Sequence, residues 1–274
     1  MKRLTLLQIG NIVALVLVLI MNGLSQAPDL FPNTVGQLGE SRAIFFLPAG
    51  YVFSIWGVIY IGLIGFAIYQ VRRVGVENEV PQRVGPWFIL SSIGNITWLV
   101  LFLYDQVWLS TVAMLVILFS LIMIYLRLDI GRRAVGWQER WAVHIPFSIY
   151  LGWISVATVA NFSAALYVSD QVTSFLGINA DIWAVVMMTI AGVLAAAMLF
   201  TRRDIAYALV VVWALVGINA RPFDTGVFNI LADLNINLVN SAALVVAGVI
   251  VVGVALVAFS RLMQTQSNPQ RLRA

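Results

Sequence analysis

The chain has 274 residues, of which 61% are hydrophobic and 10% are charged, and its formal net charge is +4. An average soluble domain is about 45–50% apolar and about 25% charged, so this composition indicates an integral membrane protein. The chain contains no cysteine, which excludes disulfides and thiol nucleophiles. It contains only one histidine, His144, so a metal site built on several imidazoles is excluded.

Eight apolar runs are long enough to cross a bilayer. A hydrocarbon core of about 30 Å needs about 20 apolar residues, and a spanning backbone must satisfy its hydrogen bonds within the segment. The runs therefore predict α-helices at 6–24, 49–70, 86–104, 110–128, 144–168, 182–200, 205–220 and 238–262. The predicted fold class is an all-α integral membrane protein with eight transmembrane helices.

The first of these runs also has features of a cleavable signal peptide, because it follows Lys2 and Arg3 and ends in small residues. A retained helix is favoured, since the segment 6–24 is long enough to span the membrane and Pro28 follows the site at which cleavage would occur. Cleavage would leave seven helices.

Basic residues are distributed unevenly between the two sides of the predicted helices. Apart from Arg42 and Arg221, every lysine and arginine falls on one side. Because cytoplasmic loops collect Lys and Arg, we expect a multi-pass protein of the inner cell membrane with both termini in the cytoplasm. The basic residues are spread over several loops without a contiguous patch, so a nucleic-acid partner is not expected.

Three predicted helices carry aromatic and polar residues spaced three or four apart, which places them on one face of each helix. These faces are Phe53, Trp56 and Tyr60 on the second helix, Ser91, Asn95, Trp98 and Phe102 on the third, and Tyr150, Trp153, Ala157 and Asn161 on the fifth. Buried indole and amide groups need hydrogen-bond partners, so the faces should point into the bundle. Two interpretations stay open: helix packing, or a pocket for a flat, largely apolar ligand.

Three segments of the chain carry a recognisable combination of aromatic, proline and asparagine residues. They are PAGYVFSIWGVIYI at 48–61, SSIGNITWLVLFLYDQ at 91–106 and HIPFSIYLGWISVATVANFSAAL at 144–166. In this order they resemble motifs of the tryptophan-rich sensory protein family, also called the TspO or translocator protein family. The resemblance covers the first five helices. It implies a TspO-like five-helix ligand-binding bundle at 1–168, followed by three additional transmembrane helices at 169–274.

The resemblance also implies a set of ligand-binding residues, with departures at Ala49 and Tyr51, where the family has Pro and Trp. The implied set is Pro48, Gly50, Tyr51, Phe53, Trp56, Tyr60, Asn95, Trp98, Trp153, Ala157 and Asn161. Family ligands are porphyrins, including haem precursors, sterols and benzodiazepine-type drugs. No cofactor, metal site or catalytic residue is implied, and a porphyrin or haem would be a ligand.

The function expected from the resemblance is a sensor or transporter that binds a small apolar ligand within the membrane lipid. Two alternatives stay open: an enzyme that degrades a bound porphyrin, and a scaffold whose polar faces only pack helices. A cap over the pocket is expected from the loop 25–47, although a simple connector would serve equally. Gly192 and Ala196 form a small-xxx-small pair, which suits close helix contact within the chain or across a homodimer.

Overall fold

The structure is a computed structural model that describes residues 4–27, 30–40, 44–72, 79–166, 174–175, 177–222 and 235–267. The helices in these residues are α1 (Leu6–Leu24), α2 (Val35–Glu40), α3 (Ile55–Arg72), α4 (Val80–Val84), α5 (Trp87–Leu103), α6 (Val107–Arg127), α7 (Trp137–Glu139), α8 (Ile145–Leu166), α9 (Ala180–Arg202), α10 (Ile205–Asn219) and α11 (Ile236–Ser267). A short antiparallel pair, β1 (Ser174–Phe175) and β2 (Ile178–Asn179), precedes α9.

The eight predicted transmembrane helices correspond to α1, α3, α5, α6, α8, α9, α10 and α11. Six helical segments in the described chain are long and apolar enough to span a membrane, and α5 and α10 are shorter apolar helices. The second span begins with a 3-10 turn, Gly50–Ser54, and the fifth is preceded by a π-helical turn, Arg140–His144. The fourth begins at Val107, three residues before the predicted start. These features confirm the predicted all-α membrane fold.

Local sequence signals explain where several helices begin and end. Thr5 and Gln8 form a capping box at the start of α1, in which the Gln8 N–H donates to Thr5 Oγ1 at 3.3 Å and the Thr5 N–H donates to Gln8 Oε1 at 2.8 Å. Later in the chain, α9 stops where Arg203 adopts a left-handed conformation, and Asp204 then caps α10 by accepting the Tyr207 N–H at 3.1 Å.

The helices pack as one continuous core. The helix α5 lies along α6, α6 along α8 and α8 along α10, while α1 contacts α3 and α5 and α11 contacts α9 and α10. The two predicted parts pack closely at Gly152 on α8, where a Cβ would lie 3.2 Å from the Tyr207 carbonyl oxygen of α10. The division near residue 168 stays a prediction, because buried residues of both parts belong to the same hydrophobic cluster.

The small residue Gly192 packs within the chain. A Cβ on Gly192 would lie 2.6 Å from Val246 Cγ1 of α11, so the absence of a side chain allows α9 and α11 to approach each other. The sequence analysis considered a contact of Gly192 either within the chain or across a homodimer. The structure contains the contact within the chain.

At one end of the bundle, arginine side chains connect neighbouring loops through hydrogen bonds and ion pairs. We call this end of the bundle the arginine-rich end. There Arg127 Nε donates to the Arg83 carbonyl oxygen at 2.7 Å, and Arg202 Nη1 pairs with Asp129 Oδ1 at 2.8 Å. Nearby, Arg83 hydrogen bonds to Glu79 and lowers the pKa of that exposed carboxyl. Five further basic residues placed on this side by sequence lie outside the described residues, namely Lys2, Arg3, Arg73, Arg271 and Arg273, and so does Arg42 on the opposite side.

Candidate ligand-binding site

The predicted aromatic faces meet in the bundle around Trp56 of α3. Its ring centroid lies 5.6 Å from that of Tyr60, 6.2 Å from Trp98, 5.9 Å from Tyr150 and 6.3 Å from Trp153. Stacked and edge-to-face rings at these separations stabilise one another beyond the apolar area that they bury. The cluster therefore joins α3, α5 and α8.

A cavity of about 60 Å³ lies beside this ring cluster. Phe53, Trp98 and Trp153 contribute aromatic walls, and α8 contributes small side chains such as Ala157 and Ala160. Because a water molecule occupies about 30 Å³, the cavity holds about two water molecules. In this state the protein's own side chains fill most of the predicted pocket.

The eleven residues implied by the resemblance divide by position. Six of them line the cavity: Pro48, Phe53, Trp98, Trp153, Ala157 and Asn161. Trp56, Tyr60 and Asn95 do not line it. Gly50 and Tyr51 lie in the 3-10 turn, and the Tyr51 ring packs edge-on against Trp213 of α10 at 5.5 Å. A ligand-binding role for all eleven stays a prediction.

Trp98 and Asn161 are hydrogen bonded within the protein. Trp98 Nε1–H donates to Asn161 Oδ1 at 3.2 Å, and Asn161 Nδ2 donates to Ser110 Oγ at 3.1 Å and to Thr111 Oγ1 at 2.7 Å. A similar amide contact joins Asn22 Nδ2 on α1 to Asn95 Oδ1 on α5. Interhelical bonds of this kind hold membrane helices together, so Trp98 and Asn161 serve packing even though they line the cavity.

Trp153 has a different polar environment from Trp98. Its side chain is 2% exposed, and its Nε1–H is buried without an acceptor in the part of the chain that the structure describes. A buried donor left unpaired costs about 1–3 kcal/mol. Trp153 therefore lines the cavity and carries a buried indole N–H that no described residue accepts.

The loop between α1 and α3 covers the cavity at the end opposite the arginine-rich end. Val35, Leu38, Ile44 and Leu47 of this loop line the cavity, and we call the described residues 30–40 and 44–47 the cap. Asn33 Nδ2 attaches the cap to the Leu103 carbonyl oxygen of α5 at 3.1 Å. The loop therefore covers the cavity, and its role as a cap over a ligand stays a prediction; residues 28–29 and 41–43 lie outside the described chain.

The model of the family described as TSPO-like protein matches residues 8–256. The chain belongs to this family. The match begins in α1 and ends within α11, so it includes part or all of each of the eight transmembrane helices, whereas the three motifs in the sequence lie in the first five. Comparisons with curated proteins and with solved structures give no match.

In this TSPO-like chain, α10 supports the segment that leads into the cavity. The Ala49 N–H donates to the Gly217 carbonyl oxygen at 2.9 Å, and Trp213 Nε1 donates to the Val52 carbonyl oxygen at 3.1 Å. A Cβ on Gly217 would overlap Val52 Cγ2 and lie 3.0 Å from Pro48 Cβ. The sequence analysis missed this contact, because a glycine in an apolar helix does not reveal which segment packs against it.

Arg221, which follows α10, fastens the cap of the TSPO-like chain. Its Nη1 donates to the Ile44 carbonyl oxygen at 2.7 Å and to the Leu47 carbonyl oxygen at 3.3 Å. The guanidinium group thus donates the hydrogen bonds that these two loop carbonyl oxygens would otherwise accept from water. This arginine is one of the two that the charge distribution placed away from the others, and the structure gives it a specific contact.

The cavity wall of the TSPO-like chain is uncharged. Among the described residues that line it, none is Asp, Glu, His, Lys or Arg. Among the described residues, no group of three or more Asp, Glu, His or Cys side chains is placed to hold a metal ion. The cavity therefore offers uncharged aromatic and aliphatic surface.

Proposed function

We propose that this TSPO-like protein binds a flat, largely apolar ligand of the porphyrin or sterol type beneath the cap, and acts as a membrane sensor or transporter. The observation that carries this proposal is the buried Trp153 indole, whose N–H has no acceptor among the described residues and which lines an uncharged cavity. The neighbouring rings offer stacking area, and Trp153 offers one oriented donor. This combination is typical of pockets for apolar ligands.

The volume of the cavity implies that binding requires a conformational change. Ligand pockets usually enclose about 300–1,000 Å³, far more than the roughly 60 Å³ present here. Leu38, Ile44 and Leu47 close the cavity from above, so their withdrawal is the most direct way to enlarge it. In this proposal the structure represents the closed state.

The orientation of the protein follows from the charge distribution and completes the proposal. The arginine-rich end faces the cytoplasm, and the cap lies on the outer side of the inner membrane. A ligand released into the outer leaflet or the outer aqueous phase would then reach the cap directly. Tagging each terminus and testing its accessibility in sealed vesicles measures this orientation.

A substitution that fills the cavity tests ligand binding. Ala157 lines the cavity, so Ala157→Phe should occupy the space without adding charge. Ala197 is exposed on α9, and Ala197→Phe serves as the matched control. Each purified protein is titrated with protoporphyrin and with haem, and the quenching of its tryptophan fluorescence is measured alongside its thermal unfolding.

Saturable quenching in the natural protein and in Ala197→Phe, with affinity at least ten-fold weaker in a folded Ala157→Phe, supports the proposal. Quenching that rises linearly in all three proteins means that the porphyrin only partitions into detergent, and it contradicts the proposal. Chromatography of the recovered porphyrin distinguishes a binding protein from an enzyme that degrades the porphyrin. A binding protein returns the molecule unchanged, whereas an enzyme yields breakdown products.

A further inference from the structure

A second and much larger recess lies between α3, α8 and α10. It has a volume of about 1080 Å³ and shares no lining residue with the cavity beneath the cap. Its walls include Ile55 and Val58 from α3, Ile149 from α8, and Leu209 and Trp213 from α10. Val58 is 53% exposed and Leu209 48% exposed. We call this recess the lateral groove, because these apolar walls face the hydrocarbon layer rather than the centre of the bundle.

The length of the lateral groove matches one leaflet of a bilayer. Ile205 and Trp213 both line it and are eight residues apart on α10, a distance of about 12 Å at 1.5 Å per residue. Half of a hydrocarbon core of about 30 Å is about 15 Å. The groove therefore accommodates a chain that starts at the arginine-rich end and stops near the middle of the membrane.

Arginines surround the mouth of the groove at the arginine-rich end. The lining residues there include Arg133, Arg140, Arg203 and Arg261, whereas Asp204 is the only carboxylate among the described lining residues. Arg140 and Arg203 lie close enough to Arg261 for their like charges to repel it. Such a concentration of positive charge is unfavourable unless an anion shares the site.

Nearby carboxylates already have partners within the protein. Asp204 is 6% exposed and accepts hydrogen bonds from Tyr125 Oη at 2.8 Å and from Ser148 Oγ at 2.6 Å. Glu139 pairs with Arg133. Among the described residues that line the groove, four arginines therefore outnumber the single carboxylate, and Arg261 Nη2 also donates to the Arg203 carbonyl oxygen.

Trp141 indicates the depth of the mouth in the membrane. It lines the groove and is 66% exposed. Exposed tryptophans in membrane proteins concentrate at the level of the lipid headgroups. The neighbouring Arg140 guanidinium is therefore placed where lipid phosphates lie.

We propose that the lateral groove binds one anionic glycerophospholipid from the leaflet at the arginine-rich end. Its phosphate contacts Arg140, Arg203 and Arg261, and one acyl chain lies along α3 and α10 toward Trp213. The charged mouth recognises the anion, and the apolar walls recognise the chain. Basic pockets between helices on the cytoplasmic side of a membrane are suited to anionic headgroups. The proposal does not depend on a ligand beneath the cap.

Lipid retention tests the proposal with the full chain. The detergent-purified protein is incubated with dioleoyl phosphatidylglycerol or with dioleoyl phosphatidylcholine, which have the same acyl chains, and bound lipid is counted by native mass spectrometry. We expect one phosphatidylglycerol per chain, retained at least ten-fold more strongly than phosphatidylcholine. Equal retention of the two lipids overturns the proposal.

Matched variants locate the lipid. The double variant Arg140→Gln/Arg203→Gln should lower phosphatidylglycerol retention at least ten-fold, while Arg132→Gln, one residue from Arg133 but outside the groove lining, should leave it unchanged. Val58→Phe narrows the apolar wall without altering charge and should also reduce retention. Equal loss in Arg132→Gln, or no loss in either groove variant, contradicts the assignment.

A headgroup-only probe separates a lipid site from an anion site. The thermal unfolding temperature is measured with phosphatidylglycerol and with inorganic phosphate at the same concentration. We expect stabilisation only by the lipid, since the apolar walls contribute to its binding. Equal stabilisation by inorganic phosphate would assign the arginines to a soluble anion and overturn the lipid proposal.

Discussion

Trp98 of α5 donates its indole N–H to the side-chain oxygen of Asn161 on α8 at 3.2 Å. Trp153 lines the same cavity but has no acceptor for its indole N–H among the described residues. The two tryptophans therefore have separable roles. One closes a hydrogen-bond network between helices, and the other lines the cavity with a buried N–H that no described residue accepts.

Replacing each tryptophan with phenylalanine should separate these roles. Both substitutions remove the same atoms, but Trp98→Phe also leaves Asn161 Oδ1 without its donor, a loss of about 1–3 kcal/mol. Trp153→Phe removes a donor that had no partner. We expect Trp98→Phe to lower the free energy of unfolding by at least about 1 kcal/mol more than Trp153→Phe, measured by reversible unfolding in mixed detergent micelles.

The same pair of variants is informative for the ligand. Trp153→Phe should weaken porphyrin binding about ten-fold, as the loss of one hydrogen bond of about 1.4 kcal/mol requires. Equal destabilisation by the two substitutions, together with equal affinities, would show that the indole N–H of Trp153 has a partner.

Gly217→Ala should disturb the segment that leads into the cavity. The added methyl would overlap Val52 Cγ2, and Val52 is fully buried and β-branched, so it cannot rotate away easily. We expect a loss of about 1–3 kcal/mol from overpacking, measured by thermal unfolding. Gly65→Ala on α3 is the control, because a Cβ there meets no atom within 4 Å. An unchanged unfolding temperature in Gly217→Ala would mean that α10 and the 3-10 turn Gly50–Ser54 separate easily.

Gly131→Ala should be strongly destabilising at the arginine-rich end. Gly131 has φ +84° and its Cβ would overlap the Arg202 carbonyl oxygen, so both the backbone conformation and the space require glycine. A non-glycine residue in this region costs about 1–2 kcal/mol before any clash. Gly136→Ala, where a Cβ meets nothing within 4 Å, should have little effect. The folded fraction in detergent, measured by size-exclusion chromatography, compares the two; similar yields would contradict the prediction.

Arg221→Gln should loosen the cap. The substitution removes a charged donor that bonds to the Ile44 and Leu47 carbonyl oxygens, and hydrogen bonds to charged groups contribute about 1.5–3 kcal/mol. Amide hydrogen exchange in residues 44–47 should become at least ten-fold faster. Arg132→Gln at the arginine-rich end is the control. Unaltered exchange in Arg221→Gln would show that apolar burial of Phe45 and Phe46 holds the cap without this arginine.

The eight helices could be predicted from sequence because each depends on the length and polarity of one continuous run. The environment of Asp204 could not be predicted in this way. Asp204 follows Arg202 and Arg203 in the sequence, but its burial depends on Tyr125 and Ser148 from two other helices. Trp98 and Trp153 illustrate the same limit, since residue spacing predicts a shared face but does not reveal which indole meets an acceptor.

The small volume beneath the cap also determines how fast a ligand can bind. If the chain must open before a porphyrin fits, the open state is a minor population and the apparent affinity falls in proportion to that population. The observed association rate should then level off at high ligand concentration, at the rate of opening. A rate plateau that rises when Arg221 is replaced would identify the release of the cap as the gating step.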